Sequence, residues 1–90
     1  MSNSLGSRPI KVDTPGSTPL FTNWMKIENI IFTEYTADTQ KFSVQDQNTN
    51  PIFEGSGNSD LSPVVSWKIG WVNGLMVPTL QGGQVEIYVQ

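Results

Sequence analysis

Val65-Ser66-Trp67-Lys68-Ile69-Gly70-Trp71 is the stretch that decides the fold class. Large apolar residues alternate there with Ser, Lys and Gly, the period of two that a half-buried strand requires. Asn73-Gly74 follows. That dipeptide suits a type I′ hairpin, whose two central residues both need positive φ. Leu75 and Val77 come next, and Pro78 predicts an edge strand or a strand end, since proline cannot donate to a ladder. Gln81-Gly82-Gly83 reads as a further turn, beyond which Val85, Ile87 and Val89 alternate again.

Upstream, Gly55 to Ser62 is a polar loop, Ile52-Phe53-Glu54 a strand, and Asp46 to Pro51 the turn that joins it to the strand of Phe42 and Val44. From Trp24 to Tyr35 the chain is rich in β-branched and aromatic residues and carries no helix cap. Met25 and Ile27 share one phase of that strand, Ile30 and Phe32 the other. Either a bulge near Glu28-Asn29 reconciles them or both faces are buried in part. Helical periodicity occurs nowhere. The expectation is an all-β chain: a single antiparallel β-sandwich, jelly-roll-like or Ig-like, of about seven short strands.

Residues 1–23 are rich in Ser, Thr, Pro and Gly and read as an extended N-terminal arm, leaving 24–90 as the sandwich domain. Within the arm, Pro9 to Asp13 alternates as a short edge strand would, and Asp13-Thr14-Pro15-Gly16 is a turn. The arm's apolar residues Ile10, Val12, Pro15, Leu20 and Phe21, with Trp24 at the junction, are the candidates for contact with a partner. Trp67 and Trp71 share a strand face with Val65 and Ile69, so they are expected in the core or at a subunit interface. Ser66, Lys68 and Gly70 on the other face are expected to be solvated.

A 90-residue chain forms one core with a thin stability margin. It has no cysteine and no histidine. Disulfides, thiolate zinc sites, His-ligated metals and the Ser-His-Asp and Cys-His arrangements are thereby removed together. Association with further copies is the support left to so small a core. Charged residues are only 14% and the net charge is −3, while Ser, Thr, Asn and Gln make up a third of the chain. Arg8, Lys11, Lys26, Lys41 and Lys68 are scattered, without the cation cluster a nucleic acid demands. No run approaches the roughly 20 apolar residues of a membrane-spanning helix. Met1 to Ser7 is polar, so no secretory leader is expected.

Paired carboxylates could still support glycoside hydrolysis, but nothing singles out two among Glu28, Glu34, Asp46, Glu54 and Glu86. Asp46, Asn48 and Asn50 have the spacing of an EF-hand loop, which fails where Pro51 and Gly57 replace the loop's glycine and glutamate. A hairpin turn with Asx-type bonds accounts for the same residues. The chain is expected to bind or assemble rather than catalyse, and no cofactor is implied.

Gly74-Leu75-Met76-Val77-Pro78-Thr79-Leu80-Gln81-Gly82-Gly83-Gln84-Val85-Glu86-Ile87-Tyr88-Val89 resembles the ending of small β-proteins encoded among the virion genes of tailed bacteriophages. Val12-Asp13-Thr14-Pro15-Gly16, Lys26-Ile27-Glu28-Asn29-Ile30 and the segment from Val44 to Ile52 are similar too. The turn after Asp46 departs from that pattern, with Asn48 and Asn50 where glycine is common. The resemblance implies a virion structural protein: a capsid decoration or cement protein on the outer surface of the major capsid protein shell, assembled as a homo-oligomer, a trimer by expectation. The alternative is a tail or baseplate accessory, or a carbohydrate-binding module, meeting the host through Trp24 and the Gly55–Ser62 loop.

Overall fold

The computed structural model describes Gly6 and residues 9–90. Six strands form: β1 (Ile10–Val12), β2 (Phe21–Thr33), β3 (Lys41–Gln45), β4 (Pro51–Ser56), β5 (Val64–Leu80) and β6 (Gln84–Val89). They pair antiparallel in one sheet of order β1-β6-β2-β5-β3-β4. The all-β antiparallel class agrees with the alternation in the sequence. Instead of about seven strands there are six among the described residues, because Asn73-Gly74 is no hairpin turn and lies inside β5. Gly74 uses its positive φ of 80° to bend a continuous strand. A Cβ at Gly74 would lie 2.6 Å from the Phe21 carbonyl oxygen, so only glycine fits.

β5 organises everything else. Its 17 residues would run roughly 55 Å if straight, yet the molecule's longest dimension is 34 Å. The strand bends at Lys68, Gly70 and Gly74, with φ of 58°, 91° and 80°. Phe32 of β2 pairs with Val64 at one end of β5, and Phe42 of β3 with Leu80 at the other. Their rings nevertheless stack with centroids 4.5 Å apart. The sheet is therefore folded over along β5. Phe32 also stacks on Tyr35 at 4.7 Å, and Phe53 meets Phe42 edge-on at 4.9 Å. Val12, Ile27, Ile30, Val44, Leu75, Val77, Val85 and Ile87 complete the buried core. Each such side chain contributes about 1.5–3 kcal/mol by leaving water.

Pro78 sits in a central strand, not at an edge. It is tolerated because the β3–β5 register slips between Ser43 and Gln45, opposite Thr79 and Met76. The bulge anticipated near Glu28-Asn29 is present: the pairing of β2 with both neighbours shifts between Ile27 and Asn29. That shift carries Met25 and Ile27 on one side of it, and Ile30 and Phe32 on the other, into the same core.

The segment expected as an arm contributes residues 10–12 and 21–23 to the sheet, and the described residues between them lie outside the strands. Ile10–Val12 forms edge strand β1 on β6, with Ile10 and Val12 buried. Gly16 N–H donates to Val77 O at 2.9 Å and Leu20 N–H to Leu75 O at 2.7 Å. β2 begins at Phe21, so a boundary at residue 24 falls within a strand. The sequence composition suggested an arm because turn residues dominate it, but a three-residue strand needs only two inward apolar residues. Residues 1–5, 7 and 8 of that segment lie outside the described residues.

Candidate functional site

Trp24, Trp67 and Trp71 are 62%, 68% and 66% exposed. For Trp67 and Trp71 this corrects the core half of the expectation, while the other half, a subunit interface, concerns surface that a single chain leaves exposed. The alternation from Val65 to Trp71 is real, but it is the other side of β5 that meets the buried apolar partners. Ser66 stands opposite buried Ile30, and Gly70 opposite buried Ile27. Directly paired residues share a sheet face. The small residues therefore turn inward and the indoles turn outward.

Register then sets the layout of this outer surface. Tyr88 of β6 and Trp67 of β5 are both partners of Asn29 on β2, so two exposed rings flank a buried amide across three strands. The Tyr88 hydroxyl donates to Glu86 Oε1 at 3.3 Å. Desolvation, then the Glu86 carboxylate, pushes that phenol above its ordinary value. Four residues further along β5, beyond the bulge, Trp71 stands opposite Lys26, and Trp24 stands opposite Asn73. Trp24 and Trp71 are thus diagonal neighbours and form one side of an open groove of ≈ 380 Å³. The β3–β4 turn supplies the other side with Asp46, Asn50 and Ile52.

That turn is tightly organised. Asp46 Oδ1 accepts the Asn48 and Asn50 backbone N–H groups at 2.8 and 2.9 Å, and Oδ2 accepts Asn50 Nδ2 at 3.0 Å. The Asn50 side-chain bond leads in holding the Asp46 carboxyl below its ordinary value. Gln47 docks the turn on the sheet. Its N–H donates to Asn73 O at 3.1 Å, and its Nε2 to Asn73 Oδ1 at 2.6 Å and Thr22 O at 3.1 Å. The Asx turn read from Asp46, Asn48 and Asn50 is the one observed.

Of the residues named from sequence as partner contacts, Ile10 and Val12 belong to the core, and Leu20 and Phe21 are half-buried against it. Pro15 and Trp24 are exposed. The Gly55–Ser62 loop is anchored by Tyr35, whose hydroxyl accepts the Asn58 N–H at 2.8 Å and donates to Ser62 O. Gly57 lies so close to that ring that a Cβ would come within 2.2 Å of it. A second groove, of ≈ 400 Å³, lies beside Glu54 and Ser43. The Ser43 hydroxyl already donates to Glu54 there, and no exposed ring lines it. Among the described residues, no three Asp or Glu side chains group as a metal site would require. No helix there is long and apolar enough to cross a membrane.

The chain matches no protein-family model, no curated protein and no solved structure.

Proposed function

We propose that this chain is a structural protein of a tailed-phage virion, a capsid decoration or cement protein that binds the outer surface of the major capsid protein shell and stabilises it. The observation that carries the reading is the Tyr88–Trp67 row, an exposed aromatic strip across three strands with Trp67 standing 68% exposed. Tryptophan and tyrosine are the anchors that dominate protein–protein contacts once a partner seals them from water. An indole this exposed gains only part of its burial energy in the isolated fold, and grouped with Tyr88 across the strands it fits a docking surface.

Two further features support the reading. The C-terminal resemblance to phage virion proteins covers Gly74–Val89, which takes in the last part of β5 and all of β6 with Tyr88, and stops short of Trp67. The chain also lacks His and Cys, which leaves it a binding rather than a catalytic protein in this proposal. The folded-over sheet acts as a sandwich-type body, rigid enough to present its strip to a shell. Ile10 and Val12 hold that body together, and the contact role first assigned to them passes to Trp67 and Tyr88. Homo-oligomerisation, as a trimer, belongs to the same proposal and offsets the thin core.

Co-sedimentation with undecorated shells of the major capsid protein tests the reading. Wild-type protein is expected to pellet saturably with shells, and Trp67→Ala to weaken that binding by about tenfold or more. Equal binding by Trp67→Ala, or no wild-type binding, overturns it.

A further inference from the structure

We propose that the groove between Trp24, Trp71 and the Asp46 turn is a binding site for a neutral pyranoside, taken as a single sugar ring or a glycan end. It is separate from the Tyr88–Trp67 strip and does not depend on that strip's role. A pyranose ring has apolar C–H faces and an equator of hydroxyls, and it needs an aromatic wall beside polar groups set at the edge. The groove has both. Two indoles with 62% and 66% exposure stand on one side. Their electron-rich faces suit polarised C–H bonds, as they suit other positive edges.

The polar edge is a complementary pair. Asp46 accepts three hydrogen bonds within its turn. A carboxylate offers about four acceptor places, so one remains on Oδ2. Asn73 Oδ1 is occupied by Gln47 Nε2, which turns the amide and leaves Nδ2 as its donor. An acceptor and a donor on neighbouring elements can read two hydroxyls of one ring, Asp46 taking a proton from one and Asn73 giving a proton to the other.

Charge selects a neutral ligand. Asp46 disfavours phosphate, sulfate and acidic sugars. Lys26, the cross-strand partner of Trp71, disfavours a quaternary ammonium over the same rings. The groove's ≈ 380 Å³ lies at the small end of ligand sites, roughly 300–1,000 Å³. The site is also preorganised, because Gln47 fixes the turn to Asn73 and Thr22 before any ligand arrives.

Intrinsic tryptophan fluorescence of the free protein, titrated with methyl glycosides of glucose, galactose and N-acetylglucosamine, tests the site without any shell. At least one glycoside is expected to give a saturable emission change. Trp24→Ala and Trp71→Ala are each expected to weaken that binding about tenfold. Trp67→Ala, outside the groove, is expected to bind as wild type does. Asp46→Asn keeps one oxygen for the Asn48 and Asn50 backbone N–H groups and loses the Oδ2 acceptor, and is expected to weaken binding. Its melting temperature, measured alongside, separates that loss from any loosening of the turn. No saturable response to any of the three glycosides overturns the proposal. So does equal loss in Trp67→Ala, or tighter binding of choline than of the glycosides. A Trp67→Ala variant that binds glycoside but not shells separates this site from the capsid reading. A wild-type protein that binds shells and no sugar sinks the sugar site alone.

Discussion

β2 carries Phe32 near one end and Trp24 near the other, and the two rings meet opposite fates. Phe32 is fully buried in a run of ring contacts with Tyr35, Phe42 and, through Phe42, Phe53. Trp24 shares its end of the sheet with Trp71, and both stand in solvent. Nothing in side-chain hydrophobicity separates these groups. What separates them is cover: β5 bends until β3 lies over Phe32, and no described strand lies over the tryptophans. Burial is a property of the fold's path, which the ring itself does not set.

The sharpest way to break this contrast is to truncate one ring from each region. Phe32→Ala is expected to cost about 3–5 kcal/mol, most of the stability of a domain this size. Trp67→Ala is expected to stay within about 0.5 kcal/mol. Urea unfolding at low protein concentration measures both. A Trp67→Ala loss that approaches Phe32→Ala would mean the outer face is covered in solution by another copy. Next comes Tyr35→Phe, which keeps the ring stack and removes the hydroxyl that holds Asn58 and Ser62. About 1–3 kcal/mol is expected for the unsatisfied partners. Amide exchange should rise in residues 57–62 and not in the β2 ladder.

A smaller and opposite effect is expected at Lys68, a non-glycine residue at φ 58°. Lys68→Gly relieves roughly 1–2 kcal/mol of left-handed strain against up to about 1 kcal/mol of added unfolded-state freedom. A slight rise in melting temperature is the expected outcome, and a fall would show that the lysine stem packs usefully. The smallest effect concerns acid. Asn50 holds the Asp46 carboxyl below its ordinary value, and the Ser62 hydroxyl does the same for Asp60. A lowered folded pKa means stability that is present above the unfolded value, about 3.9, and lost as pH falls through the folded value. The amides of Asn48 and Asn50 should therefore lose exchange protection below about pH 4 while the core keeps its own. Asp46→Asn should remove that pH dependence.

The contrast also marks how much was legible in the sequence. Period-two alternation located the strands, the phase change between Ile27 and Ile30 located a bulge, and Asp46-x-Asn48-x-Asn50 located a turn. Each is a local signal with a local cause. The face assignment of Trp67 and Trp71 went the wrong way because it assumed that the larger apolar set points inward. Ser66 and Gly70 do so instead, leaving room beneath a strand that bends. Asn73-Gly74 was open to two uses of positive φ, a reversal or a kink within a strand. Only the distant pairing of β5 with β2 and β3 chooses between them. The Trp24–Trp71 groove was illegible for the same reason, since it needs β2, β5 and the β3–β4 turn brought together.

The strand order has a consequence for how the molecule comes into being. Every connection except the β3–β4 hairpin skips a strand, and β6 sits between β1 and β2 although it is made after both. As synthesis proceeds, β1 has no strand partner until residues 84–89 emerge. Ile10 and Val12 must stay unpaired while most of the chain is translated. Such non-local closure folds in milliseconds to seconds where helical bundles take microseconds. A chaperone or an early neighbour would find its opening in that interval, when the edge of β2 waits for the strand that will fill it.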